Sequence, residues 1–436
     1  MKITNFLNNE LVDYASYDNL RSISSYIDGQ KNTSRKILYT ILKKNIKEEV
    51  KVSQLSSKMA EFTQYMHGDA SGVIVSMAKK YTGTNNMPII ADEGNFGTRF
   101  KPEASAPRYI YTMKNKNTEY LFKKDDEDIL ISQIFEGDVI EPRFFMPTLP
   151  LILINGSTNC ITPGFRQHIL PRNKDDIIEY IKCKLSNKPT DHIELIPYYN
   201  GYRGSVVNGG AIHSWEFHGS IERIGAIGIR ITELTPNWNL KTYNKFLKKL
   251  VDDKVIKSYK DKSENDKFLF EIHTDTAFNN QSDLKILDKL KLIKKESEQY
   301  YCVDENNKMR LFDDVRHILD SFIEIKLSYV TKRKEYQLQE LKDKMNFEAS
   351  KYLFIKYIND GDIVINKKSK KEIIDQLAPY DRIIEKDGSY DYLLSIAIYK
   401  LTIEEMEKSK VNIMEMKEKY KQLNESSVSD IWLSEI

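Results

Sequence analysis

The segment KPEASAPRYIYTMKNK, residues 101–116, sets Arg108 directly beside Tyr109 in a run that also carries lysines. A tyrosine hydroxyl ordinarily ionises near pH ~10, so it acts as a nucleophile only where a positive neighbour or a metal steadies the phenolate. Arg108 offers such a charge. Tyr109 is also one tyrosine among 26, and a tyrosine on a strand commonly just packs or hydrogen-bonds. The pair alone leaves both readings open. A second chemical stretch, HGDAS at 67–71, breaks one helical pattern and begins another. Free N–H groups at such a start favour a phosphate, and Asp69 or Ser71 can cap the helix. A third, DDED at 125–128, has the composition of a metal cluster, but lysines precede it and an apolar segment follows. It suits a helix N-terminus, where carboxylates complement the dipole.

The elements that must hold these residues are readable from periodicity. KNTSRKILYTILKK, 31–44, puts Ile37, Leu38 and Ile41 at helical spacing with basic residues expected on the other face. VSQLSSKMAEFTQYM, 52–66, predicts a second helix, and GVIVSMAKKY after HGDAS a third. MPII and PRYIYTM, separated by ADEGNFGTRF, read as strand, loop and strand. Helix-turn-helix followed by a β-wing makes a winged helix. From about 147 to 235 short β-like runs appear between glycines and asparagines, then a helix over 243–259 and a strand over 267–275, which predicts an α+β region. Ile318, Phe322, Ile325 and Tyr329 step by four, three and four, the seam of a coiled coil. Met406, Ile413, Met416, Tyr420 and Leu423 continue such a pattern on a returning helix, with a helical insert at 353–395 between the two arms.

The chain has 436 residues, 40% hydrophobic and 30% charged, with a net charge of +2. That length predicts several domains. No run approaches the ~18 apolar residues of a membrane span, and the N-terminus shows no apolar leader core. Cys160, Cys183 and Cys302 form neither a zinc spacing nor an even disulfide set, so a reducing, cytoplasmic setting is expected. Residues 1–120 hold 17 Lys and Arg against 12 Asp and Glu. The excess gathers around the Arg108–Tyr109 stretch, a modest electrostatic footprint for a polyanion.

RSISSYIDGQKNTSRKILY (21–39), QYMHGDAS (64–71), YTGTNNMPIIADEGNFGTR (81–99) and EASAPRYIYT (103–112) occur in one order. In that order and spacing they resemble the DNA breakage-reunion subunit of type IIA topoisomerases. MPTLPLILINGSTNCITPG (146–164) and the helical arms extend the resemblance over almost the whole chain. In compactness the chain is most similar to the medium subunit of T-even-type bacteriophage topoisomerases, which would place it in host cytoplasm.

The resemblance implies an α+β multidomain fold: a winged-helix DNA-cleavage domain over 1–146 and an α/β tower domain over 147–313. Antiparallel coiled-coil arms over 314–352 and 396–436 would carry a helical C-gate dimerisation knob at 353–395. It implies that Tyr109 attacks a DNA phosphodiester to form a 5′-phosphotyrosyl ester, with Arg108 as transition-state partner and His67 in phosphate contact or proton handling. It implies DNA contacts from Arg21, Lys31, Arg35, Lys36, Ser71 and Arg99, and an apolar wedge at Leu149 that kinks the duplex. Asn32 and Lys36 depart from the family's usual proline and arginine. No toprim metal motif and no phosphate loop is found. The expected partners are therefore duplex DNA, a second copy of this chain, and a subunit supplying Mg²⁺ carboxylates and ATP hydrolysis. The rival reading is a non-catalytic winged-helix DNA-binding or architectural protein that dimerises through its coiled coil.

Overall fold

The basic helix forms as Asn32–Lys43, with Ile37, Leu38 and Ile41 buried. Its expected cationic outer face forms only in part: Lys43 is exposed, while Arg35 and Lys36 are buried. Helices Val52–Phe62 and Ser71–Ala78 follow, the second entered through the HGDAS turn. This is a computed structural model, and it describes residues 3–436.

The expected wing is built from very short pairings. Val50–Lys51 runs antiparallel to Tyr111–Thr112, and single bridges join Glu93 to Tyr111 and Ile90 to Lys114. Most of 93–110 is therefore a loop folded onto its own turns. Gly97 is needed there: its φ is +91°, and a Cβ would meet the Pro102 carbonyl oxygen at 2.5 Å.

The chain divides into two compact units, one reaching to Lys326 and including the last two residues, the other spanning Leu327–Ser434. In the first unit, strands Ser258–Asp261, Phe270–His273, Gly228–Glu233 and Ser220–Ile224 make one antiparallel sheet in that order. Helix Leu240–Asp252 presses Tyr243 and Leu247 into a core with Ile229, Ile231, Phe270 and Ile272. The helix expected over 243–259 stops early because Lys254 takes a left-handed φ of +58°, and Ser258 already starts a strand. A second four-stranded sheet contains the hairpin Ser157–Thr162 and Phe165–Ile169.

The long helix Val315–Asp360 enters the second unit at Leu327 and passes well beyond the expected arm end at 352. Phe354 and Ile363 join Leu377, Ile383 and Leu393 in a small separate core, which explains the extension: the helix end is itself part of the knob's packing. Helix Ile403–Glu425 runs antiparallel alongside, tied by Lys351 to Glu405 at 2.8 Å and by Lys334 to the Asn424 carbonyl at 2.9 Å. Met406, Ile413, Met416, Tyr420 and Leu423 are half-buried while Glu407, Val411 and Met414 between them are exposed, so the stepping read from the sequence matches the covered face. Among the described residues, no helix is long and apolar enough to cross a membrane.

Candidate active site

Tyr109 stands in a bend, not within a strand, and is 65% exposed. Three backbone bonds fix that bend. The Tyr109 N–H donates to Ala106 O at 2.9 Å, Ser53 N–H to Pro107 O at 3.2 Å, and Val52 N–H to Ile110 O at 3.0 Å. Ile110 is buried directly after it. The phenol is thus presented outward from a backbone pinned to the start of helix Val52–Phe62.

The Arg108 guanidinium carbon lies 4.9 Å from the centre of the Tyr109 ring. Both side chains are exposed, and among the described residues neither has a hydrogen bond or ion pair. An arginine left free of carboxylates keeps its whole donor fork for a ligand. Side by side, an unpaired guanidinium and an outward phenol form a place where an anionic phosphorus centre meets both a nucleophile and a charge that offsets the developing negative charge.

His67 is exposed in the loop between two helices. Its Nε2 is hydrogen-bonded to the Tyr17 hydroxyl, and its ring lies 5.9 Å from that of Tyr17 and 5.6 Å from that of Tyr65. Asp69 accepts from the Ser71 hydroxyl at 2.7 Å, from Ser71 N–H at 3.1 Å and from Ser56 at 2.8 Å. The hydroxyl of Ser71 foremost, then that of Ser56, hold the Asp69 carboxyl below its ordinary range. The N-cap itself is Ala70, which makes no side-chain bond to the helix; Asp69, just before it, accepts from the first helical N–H, that of Ser71. Ser71 is 1% exposed and its hydroxyl is engaged by Asp69.

Two grooves gather other expected contacts. Lys31 lines one of 530 Å³ with Ser34, Asp69, Ser76, Asn85 and Ser157. Arg21 lines another, of 310 Å³, with Tyr17, Tyr65 and His67. Arg21 and Lys31 are half-buried and have no carboxylate partner among the described residues. No hydrogen bond or ring contact joins Tyr109 to His67 among those residues.

The remaining residues expected to contact DNA are buried. Arg35 binds the fully buried Asp28 through two bonds of 2.8 and 3.1 Å and donates to Gln30 O at 3.0 Å. Lys36 is held by Glu141 and by Thr63 O, each at 2.9 Å. Arg99 donates to Leu234 O at 2.7 Å and pairs with Glu233 at 2.6 Å. These cations neutralise buried carboxylates, and pulling one out would strand a buried charge. Leu149 is 0% exposed, so its side chain is part of the core. What the sequence reading missed is Ile161, 74% exposed on the hairpin between inward Cys160 and Thr162. The residue types along NCIT do not alternate, so only the strand's burial pattern reveals the outward isoleucine.

Among the described residues, no group of three His, Cys, Asp or Glu could hold a metal ion. In DDED, Glu127 pairs with Lys43 at 2.7 Å and Asp126 is buried 3.8 Å from Lys326. Those carboxylates sit in the short helical segment Lys124–Ile129 and do not fit a divalent-cation site.

Residues 21–436 match the family model for the A-type subunit of DNA gyrase/topoisomerase IV. The mitochondrial DNA topoisomerase 2 of Dictyostelium discoideum is 31% identical over 99% of this chain, and DNA topoisomerase 2 of Saccharomyces cerevisiae 28% identical over all of it. The chain covers 34% of each of those two proteins, about a third of their length. The crystal structure of the Plasmodium falciparum topoisomerase II DNA-binding, cleavage and re-ligation domain superposes with a TM-score of 0.87 at 30% identity. It covers 99% of this chain and 63% of that one.

Proposed function

Because the chain belongs to the family of DNA gyrase/topoisomerase IV A-type subunits, we propose that it is the DNA breakage-reunion part of a type II topoisomerase, with Tyr109 as nucleophile. The observation that carries this is the outward phenol of Tyr109 beside a guanidinium that no carboxylate occupies.

The Tyr109 oxygen attacks a backbone phosphorus, a P–O bond to Tyr109 forms, and the P–O3′ bond breaks. The tyrosyl proton is lost to a base or solvent, and the 3′-oxygen leaves to become a hydroxyl. Arg108 binds the non-bridging oxygens as negative charge accumulates on them, which a planar fork does better than an ammonium. The ester stores the bond energy, so the 3′-hydroxyl reverses the step without ATP. In this reading Arg21, Lys31 and His67 meet the DNA backbone, and Ile161, not Leu149, is the apolar wedge.

Mg²⁺ does not fit this chain's own carboxylates. It belongs, with ATP hydrolysis, to a toprim and ATPase portion acting with this chain, where the cation would offset phosphate charge. The winged-helix, tower, coiled-coil and C-gate assignments, the homodimer and hetero-oligomer, the T-even phage kinship and the cytoplasmic setting belong to the same proposal. The domain assignments among them are supported by motif order and by the antiparallel helices of the second unit.

The test is Tyr109→Phe. Combined with a toprim/ATPase portion and Mg²⁺, it should lose strand cleavage completely while duplex affinity stays within about twofold, since an exposed hydroxyl contributes at most about 0.5 kcal/mol to binding. Cleavage by the Phe variant at the parent rate would refute the assignment.

A further inference from the structure

Helix Glu10–Ser22 precedes the DNA-contacting motifs in the chain and places two polar side chains at the His67 groove. Tyr17 and Arg21 are four residues apart and lie on one face of that helix. Both line the 310 Å³ groove that also contains His67. The His67 loop is weakly held: among the described residues, neither His67 nor Gly68 makes a loop backbone hydrogen bond, and Gly68 has a φ of +81° with open space around it. The histidine ring is held by Tyr17 and Tyr65 instead.

We propose that Tyr17 is a positioning residue for His67: its hydroxyl donates to Nε2, so the neutral ring carries its proton on Nδ1 and offers that N–H to an anion. The reasoning is tautomeric. A neutral imidazole has one donor and one acceptor nitrogen, and a phenol hydroxyl, a stronger donor than acceptor because its lone pairs are delocalised into the ring, favours the unprotonated form of the nitrogen it meets. With Nε2 occupied, Nδ1 is the nitrogen left for a ligand. Arg21, without a carboxylate partner among the described residues, lines the same groove, so a phosphate there meets a hydrogen-bond donor and a cation. The phosphate rests on the DNA reading above; the tautomer does not.

The experiment uses the full chain labelled with ¹⁵N-histidine, at a pH where the imidazoles are neutral. His67 is assigned by the signal that His67→Gln removes. The parent should show an unprotonated Nε2 and a protonated Nδ1. In Tyr17→Phe the ratio should move toward protonated Nε2 by several-fold. Duplex affinity supplies the second readout through a double-mutant cycle with an oligonucleotide. Tyr17→Phe should weaken binding about threefold to tenfold, and should do nothing further once His67→Gln is present. An unchanged tautomer in Tyr17→Phe overturns the proposal, as does strict additivity of the two variants. Failure of the DNA reading would show differently, as no effect of His67→Gln on duplex affinity and parent-level cleavage by Tyr109→Phe, alongside a tautomer that still shifts.

Discussion

Arg108 and Arg35 both lie in motifs that suggested DNA contact, but their surroundings are opposite. Arg108 is exposed, stacked on Tyr109 and unpaired among the described residues. Arg35 is sunk against Asp28, whose carboxylate also accepts from the Gln30 and Phe145 N–H groups at 3.0 Å each. The contrast extends to Lys36 and Arg99 on the buried side, and to Arg21 and Lys31 on the open one. A cationic motif thus contains two populations: charges that complete the fold around buried carboxylates, and charges left free to meet phosphate. Isoleucine and leucine divide the same way between exposed Ile161 and buried Leu149.

The largest effect expected from this division falls on the buried side. Arg35→Ala should cost about 3–5 kcal/mol, because Asp28 would keep a buried charge without its cation. Chemical denaturation monitored on the first unit would measure it, and a loss under 1 kcal/mol would break the comparison. Next is Arg108→Ala, for which cleavage should fall about 100- to 1,000-fold with an unchanged melting profile, as expected for removal of one preorganised transition-state donor. Arg108→Lys should recover only part of that rate. Leu149→Ala should destabilise by about 2–5 kcal/mol through cavity formation. Ile161→Ala should instead leave stability alone and lower affinity for bent duplex about tenfold, which a fluorescence bending assay would read.

The smallest effect concerns Asp69. Its depressed carboxyl contributes stability above the unfolded carboxylate pKa, and that contribution is lost as pH falls through the lower folded value. Asp69→Asn should therefore lower stability only slightly at neutral pH, by about a few tenths of a kcal/mol for so exposed a carboxylate, with the gap closing in acid. A pH series of melting curves would check the direction.

The sequence carried the local part of this architecture well. Ile37, Leu38 and Ile41 identified a buried helix face, HGDAS marked a helix start, and the Met406 to Leu423 stepping matched a covered stripe. Burial of charge was not legible, because it depends on partners brought by the fold. Lys36 meets Glu141 across 105 residues of chain. Arg35 and Asp28 are only seven apart, yet nothing in that spacing says that Phe145 will close over them. The early end of helix Leu240–Asp252 turned on one left-handed residue, Lys254, which periodicity does not register. Tyr109 and Arg108 were singled out from motif order; the exposed bend in which they stand depends on the backbone bonds from Ser53 and Val52.

The most direct measurement of the central claim is to trap the cleaved complex in denaturant, digest it, and identify by mass spectrometry the peptide that carries nucleotide. The account predicts a single adduct, on the Tyr109 hydroxyl, through the 5′-phosphate and absent from Tyr109→Phe. An adduct on Tyr111 or on any other residue, or cleavage with no covalent protein–DNA species at all, would contradict it.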